Sequence, residues 1–275
     1  MAATPSASTA TVIANTIGTS LANSARQKID QIPEELNNLA HEPFGATTIV
    51  FGLILGNSAD IVERQLTIIN QAGITGLANK CLEIQSTLQQ LPIALRWPLL
   101  ELSLPALKLL SPRQYQKLKP VLIQLINADK KVELFEWCVF QIFRHYLANE
   151  FENVKISKPI YKNAEQISDS YGVILSSLAY AGSSDKDEIN SAFYRGANTA
   201  GLYNLKLLAE SSCSVKPFGK ACQQLNNCYP LLKAKLLKGL VHCISQDELI
   251  TITEREVISV IAAVIDCPLP ELDFD

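Results

Sequence analysis

Apolar residues recur at helical spacing from about residue 20 to residue 266 of this 275-residue chain. No run alternates apolar and polar positions between hairpin turns, so no β-sheet is predicted. Pro98 and Pro105 lie inside one apolar pattern, where we expect a kink or a division into two short helices. The pattern predicts an all-α fold. The helices are predicted over residues 44–55, 74–91, 95–110, 164–181 and 185–210.

Two segments repeat one pattern at a constant distance along the chain. Residues 125–143 (LINADKKVELFEWCVFQIF) align without a gap with residues 243–261 (CISQDELITITEREVISVI), at an offset of 243 − 125 = 118. The register extends upstream to a proline that suits the first turn of a helix. It therefore predicts an internal duplication of a helix–loop–helix unit. The matched pairs include Pro112/Pro230, Leu118/Leu236, Leu122/Leu240, Asp129/Asp247, Glu136/Glu254 and Val139/Val257.

An irregular segment separates the two units at residues 153–160 (NVKISKPI). We therefore predict two similar multi-helix halves packed face to face, one over residues 19–150 and one over 164–275, joined by a linker at 151–163. Residues 1–18 are rich in Ala, Ser and Thr and have no basic segment followed by an apolar stretch. They are predicted to be a flexible linker and not a signal peptide.

Composition and charge narrow the classes of partner. Hydrophobic residues make up 48% and charged residues 19% of the chain, which is typical of a globular protein. The net charge of −3 and the lack of a Lys/Arg run argue against nucleic-acid binding. The longest markedly apolar stretch, residues 49–55, is far shorter than the roughly 20 residues of a membrane helix, so no direct membrane insertion is expected. Seven cysteines without a CxxC spacing predict free, buried thiols in a reducing compartment.

Four acidic residues of the repeated units are weak candidates for metal ligands: Asp129, Glu136, Asp247 and Glu254. A hard cation such as Ca²⁺ takes six to eight oxygen ligands, and the glycine-containing EF-hand loop is absent. Each Asp also suits a chain-reversing turn, and each Glu suits a helix start. Residues 251–254 (TITE) form a capping-box sequence. The acidic residues are therefore predicted to specify the fold, and no metal site is expected.

No catalytic motif occurs in the chain. His41, His145 and His242 lie outside any HExxH, which a zinc peptidase needs to place two ligands and a base on one helix face. The Cys and His residues between positions 213 and 243 match no standard zinc spacing. GxSxG, GxGxxG and Walker sequences are also absent. We therefore predict no catalytic residue and no cofactor in this chain.

Several segments carry a family resemblance. Residues 96–115 (RWPLLELSLPALKLLSPRQY), followed by 125–137 (LINADKKVELFEW), resemble the C-terminal region of large bacterial HtpX-like membrane zinc metallopeptidases. Residues 41–55 (HEPFGATTIVFGLIL) and the ending 260–272 (VIAAVIDCPLPEL) fit the same family. The two Asp-x-x-apolar-x-apolar-x-Glu units resemble the TerB-type helical fold. The resemblance therefore implies two TerB-like halves.

For function, the resemblance implies a non-catalytic regulatory or protein-interaction domain of a zinc metalloendopeptidase. The HExxH site, its zinc and the membrane-spanning helices would lie upstream of this region. The partners would be that protease domain in cis and other proteins. The location would be cytoplasmic, tethered to the bacterial inner membrane. The alternative is a freestanding TerB-like acidic protein that binds a divalent metal or small ligand. Lys130 and Glu248 depart from the family pattern in the two loops and weaken a metal site there.

Overall fold

The computed structural model describes residues 29–129, 134–152, 158–213, 215–245 and 252–267. Within these ranges the chain forms twelve α-helices, two short 3-10 helices and no β-strand, so the predicted all-α fold is confirmed. The helices are α1 (Glu34–Ala40), α2 (Pro43–Ile54), α3 (Ala59–Gln71), α4 (Leu77–Gln90), α5 (Ile93–Leu107), α6 (Pro112–Ile126), α7 (Leu134–Phe151), α8 (Ser168–Gly182), α9 (Lys186–Ala200), α10 (Val215–Asn226), α11 (Pro230–Ile244) and α12 (Ile252–Val264).

Proline starts the two helices at which the repeated units begin, as predicted. Pro112 and Pro230 each occupy the first turn, where the missing N–H would have no partner within the helix. Ser111 adds a capping box to α6: its backbone N–H donates to the Gln114 side chain over 2.8 Å, and its Oγ accepts from the Gln114 N–H over 3.3 Å. Both helices thus start at a proline, and in α6 the capping box stabilises the helix start further.

The expected alternative of a division at Pro98 and Pro105 into two short helices is wrong, because α5 runs through both prolines as one helix of 15 residues. An interior proline costs about 3 kcal/mol or more, since it removes a hydrogen bond and crowds the preceding turn. Burial of apolar side chains around most of this helix offsets that cost. The side chains concerned are Leu95, Trp97, Leu99, Leu100, Leu104 and Leu107.

The predicted helix over 185–210 is too long, because α9 ends at Ala200. Gly201 follows in the left-handed conformation with φ of +80°, and its N–H donates to the carbonyls of Ala197 and Asn198. Only glycine adopts this conformation without strain, so Gly201 stops the helix. The chain then runs irregularly over residues 202–209. Most of the irregular segment predicted at 153–160 lies outside the described residues.

One continuous cluster of buried apolar side chains draws residues from both predicted halves, from Ala46 in α2 to Cys267 after α12. A smaller cluster lies under α1 and joins it to α2, α4 and α5. The division into halves with a linker at 151–163 stays a prediction. The predicted linker at 1–18 lies outside the described residues.

Helix boundaries follow the 118-residue offset of the sequence. The starts of α6 and α11 differ by 230 − 112 = 118, and their ends differ by 244 − 126 = 118. The packing corresponds as well. Helix α2 packs on α5, and α6 packs on α3 and α7, in the way that α8 packs on α10, and α11 packs on α9 and α12. These matches support the duplication, which itself stays a prediction.

We call helices α1–α7 the first group and helices α8–α12 the second group. The contacts between the two groups are reciprocal. Helix α7 packs on α12, its own counterpart, while α5 packs on α12 and α10 packs on α7. Each contact is therefore matched by its equivalent with the two groups exchanged. Within the described residues, every helix is too short or too polar to cross a bilayer.

Candidate functional site

The predicted acidic residues lie at turns and helix starts. Asp129 lies in the turn after α6, and Glu136 and Glu254 lie half-buried in the first turns of α7 and α12. Carboxylates at these positions stabilise the positive end of the helix dipole. Asp247 and the capping-box residue Thr251 lie outside the described residues. In the part of the chain that the structure describes, no three His, Cys, Asp or Glu side chains converge in a way that could hold a metal ion.

Glu254, in the first turn of α12, belongs to a junction with the ends of α8 and α11 and with Arg195 of α9. Its Oε1 lies so close to the end of α8 that a Cβ on Gly182 would be 3.0 Å from it. On the other side of the junction, Arg195 Nη1 donates to the Ser245 carbonyl over 3.0 Å, at the negative end of α11. Burial raises the pKa of the Cys243 thiol between them to about 12. The junction therefore holds fixed charges and an unreactive thiol.

The corresponding junction of the first group is held by Gln65, whose side chain is 2% exposed. Its Nε2 donates to the carbonyls of Ile54 over 3.0 Å and Leu125 over 3.1 Å, while Oε1 accepts the Gly56 N–H over 2.8 Å. A carboxamide both donates and accepts, so one side chain satisfies the ends of α2 and α6 together. Gln65 is thus a structural residue and is not available to a ligand.

A surface groove of about 660 Å³ lies between α3 and α4. Val62, Leu66 and Leu82 give it apolar lining, and Leu82 is 51% exposed. Glu63 is its one charged lining residue. The remaining lining residues are mostly hydroxyl and carboxamide side chains: Asn57, Thr67, Asn70, Gln85 and Gln89.

The helical register explains this groove. Val62 and Leu66 are four residues apart on α3, and Gln85 and Gln89 are four residues apart on α4, so each pair lies on one helix face. Helix α3 meets the core through the buried Gln65 and Ile69, and Leu66 packs at the edge of that core while lining the groove. No residue of this groove was among the predicted site residues. The available signal was Leu82, an apolar residue outside the core stripe of α4.

A second cavity, of about 490 Å³, lies between the start of α8 and the irregular segment after α9. It is lined by Tyr203, which is 76% exposed, by Lys206 and by the carboxylates of Glu165 and Asp169. The cavity has both positive and negative lining residues, so it favours neither an anionic nor a cationic ligand.

Six of the seven cysteines are buried. All seven cysteines are free thiols, as predicted, and burial raises the pKa of Cys81 to about 12 and of Cys228 to about 11. Thiols with such values carry little thiolate at neutral pH and are poor nucleophiles. The His41 ring lies 3.1 Å from the Asn37 Oδ1, and His242 is exposed in the last turn of α11.

No protein-family model, curated protein or solved structure matches this chain.

Proposed function

We propose that this chain is a non-catalytic protein-interaction domain of a membrane-anchored zinc metallopeptidase, with the α3–α4 groove as its binding surface. The observation that carries the interaction function is the chemistry of the groove. Its apolar residues Val62, Leu66 and Leu82 can accept the apolar side chains of a partner segment. The carboxamides around them can donate to and accept from a polypeptide backbone.

The partner that we propose is the protease domain in cis, which the resemblance places upstream of this region on the cytoplasmic side of the bacterial inner membrane. Zinc and catalysis would belong to that domain. The groove has a single charged lining residue, Glu63, so affinity would come mainly from apolar burial and hydrogen bonds.

Gene context is the first test. We expect an upstream reading frame, continuous with this chain, that encodes membrane-spanning segments and an HExxH motif. A native start at Met1 with no such frame before it would contradict the protease part of the proposal. That result would not decide whether the groove binds a partner, which the binding measurement tests separately.

Binding is the second test. The affinity of the chain for its purified protease domain is measured by titration calorimetry, with Leu82→Arg as the variant. A charge among the apolar lining residues should lower the affinity at least roughly tenfold. Leu109→Arg is the matched control, because Leu109 is 73% exposed and is not among the groove residues. Equal affinity of wild type and Leu82→Arg would exclude the groove as the binding surface.

A further inference from the structure

Lysines are distributed very unevenly over the folded chain. Residues 158–164 and 215–245 together contain seven lysines and no Asp, Glu or Arg, although the whole chain has a net charge of −3. The remainder of the chain therefore carries −3 − 7 = −10. The lysines are spaced along two separate segments, so no basic run is visible in the sequence. A basic region arises where the fold brings these segments together.

The two segments meet at the start of α11. The Ile160 N–H donates to the Asn227 carbonyl over 2.7 Å, and the Tyr229 N–H donates to the Tyr161 carbonyl over 2.9 Å. The Lys162 ammonium lies 5.5 Å from the centre of the Tyr229 ring, within the range of a cation–π contact. Residues distant in sequence are thus held side by side by backbone hydrogen bonds.

Exposed apolar side chains lie among these lysines. Leu231 is 88% exposed, Ile160 59% and Tyr229 41%. Single exposed apolar residues are common on protein surfaces, but three large ones on adjoining segments form a patch that favours contact with an apolar phase. We call the set the basic-apolar patch: Lys158, Ile160, Lys162, Tyr229, Leu231 and Lys235.

The lysines of the patch are not neutralised by the protein. Lys158, Lys162 and Lys235 make no ion pair with a carboxylate of the described residues, whose ion pairs involve other lysines. Lys235 follows Leu231 by one helical turn, so both lie on the exposed side of α11. The nearest carboxylates along the chain, Glu165 and Asp169, line the adjacent cavity with Lys206. Lys158 and Lys162 thus flank Ile160 in the chain, and Lys235 lies one turn from Leu231 with its Nζ against Gly201, where a Cβ would be 2.6 Å from it.

From this juxtaposition we propose that the basic-apolar patch docks the protein onto the surface of an anionic lipid bilayer. Lysines attract lipid phosphates, and Leu231 and Ile160 enter the boundary between headgroups and acyl chains. Tyr229 has an apolar ring and a polar hydroxyl, which suits it to that boundary. Nucleic acid would match the charge but would leave the two exposed aliphatic side chains in water. The contact is peripheral and needs neither a spanning helix nor an attached protease domain.

Vesicle co-sedimentation tests the proposal with the complete chain. Vesicles are made of phosphatidylglycerol and phosphatidylcholine in equal parts, or of phosphatidylcholine alone. We expect binding to the anionic vesicles, weakening with added salt, and no binding to the neutral ones. Lys162→Glu combined with Lys235→Glu should lower the affinity at least about 25-fold, because each surface lysine contributes roughly 1 kcal/mol. Leu231→Ser should lower it roughly tenfold.

Controls come from the 118-residue offset. Arg113 and Lys117 are the counterparts of Leu231 and Lys235, and both are exposed on α6. Arg113→Glu combined with Lys117→Glu changes the net charge by the same amount as the patch variant and should retain most of the binding. Leu109→Ser is the matched aliphatic control. Thermal unfolding of each variant checks that its fold is intact.

A fluorescent reporter gives a second measurement. Trp97 and Trp137 are buried, so in Leu231→Trp the new indole is the one expected to meet lipid. We expect brominated acyl chains in anionic vesicles to quench it. Three results would overturn the proposal: no binding to anionic vesicles, equal loss in the patch and control charge variants, or binding to duplex DNA without binding to vesicles.

Discussion

Two junctions of the molecule use the same arginine contact and differ in what fills the space between the helices. On α3, Arg64 Nη1 lies 3.5 Å from the Ala128 carbonyl after α6. On α9, Arg195 Nη1 donates over 3.0 Å to the Ser245 carbonyl after α11. In both, a guanidinium lies at the negative end of the helix that begins a repeated unit.

The residue that follows the arginine differs between the two junctions. After Arg64 comes Gln65, whose carboxamide holds α6 and the end of α2 through side-chain hydrogen bonds. After Arg195 comes Gly196, which faces Gly239 of α11 so closely that a Cβ on either would lie within 2.8 Å of the other's carbonyl oxygen. One junction is therefore filled by a polar side chain, and the other brings two backbones into contact.

The difference shows how one packing pattern tolerates an additional helix. In the first group α4 packs on both α2 and α3, and α3 and α2 make little direct contact. In the second group no α-helix lies between α9 and α10 in the described residues, and α9 packs directly on α8 and α11. The groove that we propose as a binding surface lies along α4, the helix without a counterpart.

The largest expected effect comes from Gly239→Val, which introduces the side chain of the counterpart residue, Val121. A Cβ there would overlap the Tyr171 hydroxyl and approach the Gly196 carbonyl to 2.7 Å. We expect urea unfolding to show a loss of about 4 kcal/mol, because backbone must move. Gly172→Ala is the control: its Cβ would meet Leu205 at an ordinary 3.4 Å, so a change within about 1 kcal/mol is expected. Similar stability of both variants would refute the close contact.

A smaller effect is expected for Gln65→Leu, which keeps the volume and removes the hydrogen bonds. The carbonyls of Ile54 and Leu125 and the Gly56 N–H lose their Gln65 partner. We expect a loss of about 2 kcal/mol in urea unfolding, since unsatisfied buried polar groups are costly. Gln116→Leu, at an exposed position of α6, should leave stability nearly unchanged. A Gln65→Leu protein as stable as wild type would show that these bonds do not hold the junction.

The smallest effect concerns the contact between α6 and α7. Lys119 Nζ and the Tyr115 hydroxyl each donate to Glu152 Oε1 over 2.5 Å. The Lys119 bond, followed by that from Tyr115, lowers the pKa of Glu152. A lowered folded-state pKa stabilises the protein above the usual Glu range, and this contribution is lost as the pH falls through the lowered value.

Glu152→Gln should therefore be less stable than wild type at neutral pH, and the gap should close on acidification. The carboxylate is partly exposed, so salt should shrink the gap. The unfolding midpoints of wild type and Glu152→Gln, compared across acidic pH, measure this difference in stability. Glu150→Gln is the control, because Glu150 pairs with Lys108 at 3.8 Å on an exposed surface. A gap that stays constant with pH would contradict the assignment. The residue 118 positions after Lys119 is the buried Leu237. The second group therefore has no corresponding pH dependence of stability at this position.

Local sequence signals predicted the helices and some of the residues at which they begin or end. Pro112 and Pro230 predicted helix starts because their conformation and missing N–H suit a first turn. Gly201 carried an equally local stop signal that the apolar periodicity obscured. The continuity of α5 was beyond local reasoning, since burial against other helices decides whether Pro98 breaks it.

Neither proposed surface could be predicted from sequence periodicity. The basic-apolar patch needs the pairing of Tyr161 with Cys228, residues far apart in the chain. The α3–α4 groove depends on how two helices diverge at the surface, whereas periodicity reports only which face each helix buries. The acidic residues of the repeated units were predicted to serve the fold, and the positions of Glu136 and Glu254 in first turns agree with that interpretation.

The reciprocal contact of α7 with α12, flanked by α5 on α12 and α10 on α7, has the form of an isologous interface, such as two identical subunits make across a twofold axis. Between separate subunits, such an interface forms only above a protein concentration set by its dissociation constant. Within one chain, the short connection from α7 to α8 fixes the effective concentration of each group for the other. The pairing of the two groups is therefore independent of how dilute the protein is.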